Sequence, residues 1–167
     1  MPSPEVPTTT SGRIVVNGVP RTAGVDELGR SLAVWLRENC AATDTKIGCE
    51  EGVCGSCTVL LDGEPVPSCL VPVADCDGRA VATAGHLAAE DPCGRLVARC
   101  LAEVDSPQCG FCVGGLLVTA TALVGADVPS DAAIRAGLAA HLCRCGGYPR
   151  HEAAVALARR RLEESGA

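Results

Sequence analysis

The stretch Lys46-Ile47-Gly48-Cys49-Glu50-Glu51-Gly52-Val53-Cys54-Gly55-Ser56-Cys57 decides the fold of the first half of the chain. It spaces three cysteines as C-x4-C-x2-C, and Cys69 follows after eleven further residues. This is the plant-type spacing of the thiolates that hold an iron–sulfur cluster. Four thiolates must converge there while backbone N–H groups point at sulfur, and glycine relieves the crowding. The predicted ligands are Cys49, Cys54, Cys57 and Cys69, and the predicted loop glycines are Gly48, Gly52 and Gly55.

A second group of four cysteines has a different pattern. It consists of a C-x2-C motif, Cys109-Gly110-Phe111-Cys112, and a C-x-C motif, Cys143-Arg144-Cys145, which follows after thirty residues. An iron–sulfur cluster and a structural zinc site both fit this group, because zinc sites favour two cysteine pairs brought together. The first quartet does not fit zinc. The second predicted ligand set is Cys109, Cys112, Cys143 and Cys145.

Composition limits the remaining possibilities. The 167 residues carry a net charge of −6 and are 47% hydrophobic, enough for one moderate core or two small ones that a metal would supplement. The acidic balance argues against nucleic acid as a partner, and no apolar stretch is long enough to span a membrane. Residues 1–12 contain neither the basic nor the apolar region of a signal peptide, so we expect a flexible tail and a cytoplasmic protein with reduced cysteines.

The first half of the chain follows the pattern of a small sheet with one helix. Asn17-Gly18 and Asp62-Gly63 are tight-turn signals between short apolar runs. The predicted elements are strands at 13–16 and 19–23, a helix at 26–39, the cysteine loop at 46–57, and strands at 58–61, 66–73 and 79–83. Cys69 would lie on the second strand of the second hairpin. This order is that of a β-grasp plant-type ferredoxin domain, which we expect over residues 13–83.

The second half changes to helical periodicity. Apolar residues recur at the 3.6-residue spacing in four stretches, near 96–104, 113–124, 134–138 and 155–162, and Ser130 is a candidate cap for the third. We therefore expect an all-α, four-helix domain over residues 84–163 and a tail over 164–167. The predicted fold class is α+β, with one cysteine quartet in each domain.

Both cysteine regions resemble one known family. Residues 45–59 resemble the first-cluster signature of the small iron–sulfur subunit of molybdenum hydroxylases, the family of xanthine dehydrogenase, aldehyde oxidoreductase and carbon monoxide dehydrogenase. Residues 108–112 and 142–148 resemble its second-cluster signatures, and the resemblance runs from about Arg13 to Leu162.

The resemblance implies one 2Fe-2S cluster in each domain, two partner subunits and a direction for electrons. A large subunit would hold a molybdenum-pterin cofactor, a medium subunit would hold FAD, and the assembly would be a dimer of heterotrimers. Electrons would pass from molybdenum to the second quartet, then to the first, and on to FAD. A free-standing two-cluster electron carrier is the alternative function, and a zinc-stapled interaction module is a third.

The resemblance also implies roles for single residues. Gln108 and Cys145 correspond to positions that contact the pterin. Arg144 either stabilises the reduced cluster or is a surface arginine near a helix C-terminus. The chain has Val113-Gly114-Gly115 where the family usually has Thr-Pro-Gly, and Gly146-Gly147 where Thr-Gly is common. These departures leave the ligands intact and affect the packing on the pterin side.

The remaining cysteines and the histidines carry no further metal pattern. Cys100 shares the apolar face of its predicted helix and is expected to be a buried hydrophobe. The other residues without a predicted metal role are Cys40, Cys76, Cys93, His86, His141 and His151.

Overall fold

Five short strands form one mixed sheet in the first half of the chain. The computed structural model describes residues 11–125 and 130–165. The strands are β1 (Ser11–Val16), β2 (Val19–Gly24), β3 (Thr58–Leu61), β4 (Glu64–Pro67) and β5 (Ala80–Ala82). Their order is β2-β1-β5-β3-β4, and the β1–β5 pair is parallel while the other pairs are antiparallel. Asn17 and Asp62 both adopt a positive φ, as tight hairpin turns require.

The first helix is shorter than the periodicity predicted. Helix α1 spans Leu32–Asn39 and is capped by Ser31, whose hydroxyl accepts a hydrogen bond from the backbone N–H of Val34. The predicted start at Asp26 was wrong, because residues 25–30 form turns and Ser31 pairs with Pro72 in a β-bridge. The buried face of α1 joins the core of the sheet through Leu32, Trp35 and Leu36.

The segment that carries Cys69 is a turn and not a strand. The predicted strand over 66–73 ends at Pro67, and 3-10 turns follow at Ser68–Leu70 and Val73–Cys76. Prolines at 65, 67 and 72 lack the N–H that a longer strand would donate. The Ser68 hydroxyl also donates to the Cys57 carbonyl at 2.6 Å and draws this turn towards the cysteine loop.

The second half contains five helices among its described residues, one more than the sequence predicted. They are α2 (Ala84–Glu90), α3 (Pro92–Glu103), α4 (Val113–Gly125), α5 (Asp131–Ala139) and α6 (Tyr148–Ser165). The missed helix α2 is too short to show a periodicity. It is separated from α3 by Asp91, which accepts from the Gly94 N–H at 2.6 Å and caps α3. Ser130 caps α5 as expected, by accepting from the Ala133 N–H at 3.1 Å.

Both predicted tails are shorter where the structure describes them. Ser11 and Gly12 belong to β1, and Glu164 and Ser165 extend α6. The rest of the predicted tails, residues 1–10 and 166–167, lie outside the described residues. No helix in the described ranges is long and apolar enough to cross a membrane.

Two hydrophobic cores lie side by side, and helix α4 packs against the backbone of the sheet half. One core is formed by the sheet and α1, and the other by α2–α6. A Cβ atom at Gly115 would lie 2.0 Å from the Gly55 carbonyl oxygen, and one at Gly114 would lie 2.8 Å from that of Asp44. The glycines of the unusual Val113-Gly114-Gly115 sequence therefore let α4 approach the cysteine loop closely.

Candidate metal centres

The first quartet gathers on a loop between α1 and β3. The thiol of Cys49 lies beside that of Cys54, and the thiol of Cys57 lies beside that of Cys69. The Cys49 sulfur also accepts the backbone N–H groups of Glu51 and Cys54, each at 3.4 Å. Such N–H···S contacts are the environment that a cluster thiolate needs.

The three predicted loop glycines lie where an added side chain would crowd its neighbours. At Gly48 a Cβ atom would lie 3.1 Å from the Cys54 sulfur, and at Gly52 it would meet the Leu70 side chain at 2.3 Å. Gly55 has a φ of +72°, and its Cβ would lie 2.4 Å from Nδ1 of His141 and 2.6 Å from the Ala140 carbonyl oxygen. Gly55 thus serves both the loop turn and the contact with the helical half.

The second quartet gathers where α4 begins and where α5 connects to α6. The thiol of Cys109 lies beside that of Cys145, and the thiol of Cys112 lies beside that of Cys143. The Cys143 sulfur accepts the Gly147 N–H at 3.3 Å, and the Cys143 N–H donates to the Tyr148 hydroxyl at 2.9 Å. The pairing therefore joins the two sequence motifs crosswise.

The pKa values of the thiols differ within each quartet, because a negative charge on one thiol disfavours a negative charge on its neighbour. The Glu51 and Cys54 N–H groups lower the pKa of Cys49 to about 7, whereas burial and then the Cys57 thiol raise the pKa of Cys69 to about 11. In the second quartet the Phe111 N–H and the Cys145 thiol lower the pKa of Cys109, while burial and the Cys143 thiol raise that of Cys112 to about 12. Bound metal ions would supply the positive charge that lets all four sulfurs ionise.

The geometry distinguishes one metal ion from two. Four thiolates on a single zinc would lie about 3.8 Å apart, as follows from a Zn–S bond of about 2.3 Å in a tetrahedron. No three thiols of either quartet lie mutually within 4.8 Å in the described part of the chain. Each quartet instead consists of two close pairs, which suits a centre with two irons and two thiolates on each. The donor set therefore fits a 2Fe-2S cluster better than zinc.

A backbone hydrogen bond joins the two quartets directly. The N–H of Leu142 donates to the carbonyl oxygen of Cys54 at 3.0 Å. Leu142 immediately precedes Cys143, so one hydrogen bond and a few covalent bonds separate a thiol of each quartet. His141 lies beside this link, and its Nε2 is 2.8 Å from the Thr119 hydroxyl. Burial lowers the pKa of His141 to about 4, so this imidazole is neutral at neutral pH.

A histidine to which the sequence pattern gave no role lies at the second quartet. His151 lies in the first turn of α6 with only 2% of its surface exposed, and the sulfurs of Cys112 and Cys143 lie within 4.8 Å of its ring nitrogen. Its Nδ1 is 2.5 Å from the Ser106 hydroxyl, and burial lowers its pKa. The signal in the sequence was its spacing of six residues after Cys145, which has meaning only once α6 folds back over the quartet.

The other predicted site residues lie at the surface. Gln108 and Arg144 are exposed next to ligand positions, and Arg144 makes no ion pair within the described ranges. The structure places Cys76 and Cys100 in the two hydrophobic cores, and Cys40 and Cys93 pack against them.

Comparison with known proteins assigns both halves of the chain. Residues 14–88 match the model of the 2Fe-2S iron-sulfur cluster binding domain, and residues 83–156 match that of the [2Fe-2S] binding domain. The small FeS subunit of nicotinate dehydrogenase from Eubacterium barkeri is 38% identical over 141 residues, which cover 84% of this chain and 88% of the relative. The iron-sulfur-binding subunit of xanthine dehydrogenase from Escherichia coli O157:H7 is 39% identical over 72% of this chain and 76% of its own length.

A solved structure agrees along nearly the whole chain. Quinoline 2-oxidoreductase from Pseudomonas putida 86 contains a chain that superposes with a TM-score of 0.77 and 38% identity, over 92% of this chain and 98% of that one. This chain belongs to the small iron–sulfur subunits of the molybdenum hydroxylases. As a member of that family it is the electron-transfer component of an oxidoreductase and carries two 2Fe-2S domains. The expected α+β fold is confirmed at the level of a small mixed sheet plus six helices in the described residues.

Proposed function

We propose that this chain relays electrons between a molybdenum-pterin subunit and an FAD subunit through two 2Fe-2S clusters. The first cluster would be held by Cys49, Cys54, Cys57 and Cys69, and the second by Cys109, Cys112, Cys143 and Cys145. A 2Fe-2S cluster supplies one-electron chemistry, so two in series divide a two-electron oxidation into single steps. The sheet half would be a β-grasp domain that presents the first cluster.

The observation that carries this proposal is the pair of quartets joined by one hydrogen bond. The Leu142 N–H to Cys54 carbonyl contact of 3.0 Å connects the two ligand loops through the backbone. Gly55 and Gly115 keep the loops close, since a side chain at either would collide with the other half. A zinc-stapled module would not need two centres in contact, and its thiols would not separate into pairs.

Exposed apolar side chains beside each quartet favour a subunit over a diffusible carrier. Val53 and Leu70 flank the first quartet, and Phe111, Leu142 and Tyr148 flank the second. Large apolar side chains clustered in solvent are typical of surfaces that a partner covers. We propose that the patch at the second quartet faces the pterin subunit and the patch at the first faces the flavin subunit.

The contacts proposed for single residues follow from that orientation. Gln108 is exposed and Cys145 is half-buried, and both would contact the pterin, while exposed Arg144 would stabilise the reduced cluster. A dimer of heterotrimers is the proposed assembly. The proposed compartment is the cytoplasm, because cluster ligands need reduced thiols and all twelve cysteines are free.

Purification of the tagged chain from its own host tests the proposal. We expect two larger chains to copurify, one with molybdenum and one with flavin, and about four irons per copy of this chain. Reduction should give two distinct paramagnetic signals, and C49S and C109S should each alter one of them. A stable monomer that serves several reductases as a diffusible donor would instead support the free-standing carrier, and a colourless protein with one or two zinc ions would refute both.

A further inference from the structure

His151 offers a buried polar atom that the relay described so far does not use. Its Nε2 is fully enclosed and has no hydrogen-bond partner within the described residues. Buried polar atoms in proteins are almost always paired, because an unpaired one forfeits its interactions with water. The Nε2 atom of His151 is therefore available for a hydrogen bond to the neighbouring sulfurs of Cys112 and Cys143.

The surroundings of the ring show where that partner lies. A Cβ atom built on Gly147 would lie 3.1 Å from Nε2 of His151 and 3.5 Å from the Cys143 sulfur, so both atoms face the same narrow space. The ring nitrogen and the sulfurs of Cys112 and Cys143 lie within 4.8 Å of one another. The absence of a side chain at Gly147 leaves this space open to the imidazole.

The Ser106 hydroxyl and the thiolates together favour one tautomer of the His151 ring. Its hydroxyl is hydrogen bonded to Nδ1 of His151, and both side chains are buried. If the hydroxyl donates, the ring proton resides on Nε2 and points towards the thiolates. The opposite tautomer would aim a lone pair at anionic sulfur, which electrostatic repulsion disfavours.

We infer that His151 donates a hydrogen bond from Nε2 to the thiolate sulfurs of the second cluster and so raises its reduction potential. Reduction adds one electron and makes the sulfurs more negative, which strengthens an N–H···S hydrogen bond and favours the reduced state. No proton is transferred in this step. The inference rests on the proposed second cluster, and it makes His151 a positioning residue and not a ligand.

A redox titration of the purified complex, followed by paramagnetic resonance, tests the inference. In H151L the signal of the second cluster should show about a tenfold lower ratio of reduced to oxidised form at a fixed potential, equivalent to ~59 mV for one electron. The signal of the first cluster should not move. In H151Q an amide N–H replaces that of the ring, so the ratio should return to within about threefold of the wild-type value.

A matched control and a second variant keep the test decisive. H86L makes the same substitution on α2, at a histidine beside the sheet, and should leave both signals unmoved. S106A keeps the ring but removes the hydroxyl that is hydrogen bonded to Nδ1, which weakens the preference for a proton on Nε2. The ratio of reduced to oxidised second cluster should therefore fall, by a smaller factor than in H151L. S106A therefore tests the inference even if H151L does not assemble.

The outcomes separate this inference from the proposed function. A complex that lacks the second signal in the wild type would overturn both. If the wild type shows both signals, but the ratio of reduced to oxidised second cluster changes less than twofold in H151L and in S106A, only the role of His151 is overturned. Equal shifts of both signals would also overturn it, because a general loosening of the fold has no preference for one cluster. Loss of an exchangeable proton coupling in H151L, with its retention in H151Q, would identify the donor directly.

Discussion

The contact between Gly115 and Gly55 gives a sharp quantitative prediction. At an unconstrained helical position, replacing Gly by Ala stabilises a protein by about 1 kcal/mol through helix propensity. In G115A the new methyl group would lie 2.0 Å from the Gly55 carbonyl oxygen, whereas carbon–oxygen contacts are normally about 3.3 Å or longer. Helix α4 and the cysteine loop would have to separate by more than about 1 Å.

The net effect follows from these opposing contributions. Overpacking typically costs about 1–3 kcal/mol, and the upper end applies because both colliding groups are fixed to the backbone. With the propensity gain subtracted, G115A should lose about 2 kcal/mol, which for a chain of this size lowers the melting temperature by roughly 4–8 °C. Gly125 lies on the same helix, and among the described residues a Cβ there would meet only the Cys93 sulfur, at 4.0 Å. G125A is therefore the matched control and should melt at or slightly above the wild-type temperature.

Thermal melting of the iron-loaded chain, followed by circular dichroism and by visible absorbance at one scan rate, measures the difference. Cluster bleaching in G115A should precede or accompany loss of helix, because the displaced loop carries Cys54 and Cys57. If G115A melts at the same temperature as G125A, the close approach of α4 to the cysteine loop does not exist as described. The short connection between the two quartets would then be contradicted as well.

Three further predictions test other contacts. G55A should lower the melting temperature by several degrees more than G63A, because both glycines have a positive φ but, of the two, only Gly55 faces His141 and the Ala140 carbonyl. Equal decreases in melting temperature would contradict this. The pKa of His141 is about 4 in the folded chain and about 6.5 when unfolded, so its contribution to stability is retained above pH 6.5 and falls towards pH 4. Lowering the pH from 7 to 5 should therefore reduce the free energy of unfolding of wild type by about 2 kcal/mol more than that of H141Q. Parallel curves of unfolding free energy against pH for the two proteins would refute the burial argument. Replacing any one of the four cysteines outside the quartets by serine should leave about four irons per chain. These cysteines are Cys40, Cys76, Cys93 and Cys100. A loss of two irons in one of the variants would reveal a missed ligand.

Local signals in the sequence predicted much of the fold. Asn17-Gly18 and Asp62-Gly63 fixed the two hairpins, because few residues tolerate the positive φ of such turns. Ser130 located the start of α5 through its capping hydroxyl. The errors arose where distant contacts override local pattern. The bridge between Ser31 and Pro72 delays α1, and the Ser68 contact with Cys57 turns the chain at Cys69.

What the sequence alone determined is the kind of centre and the residues proposed to hold it. Thiolate ligation requires cysteines at close spacing in glycine-containing loops, and that requirement is written in a few consecutive residues. The tertiary structure alone decided how the thiols pair, how Leu142 joins the two quartets, and that His151 lies over the second one. These relations connect residues far apart in the chain. They depend on how the two hydrophobic cores pack against each other, which no short stretch of sequence specifies.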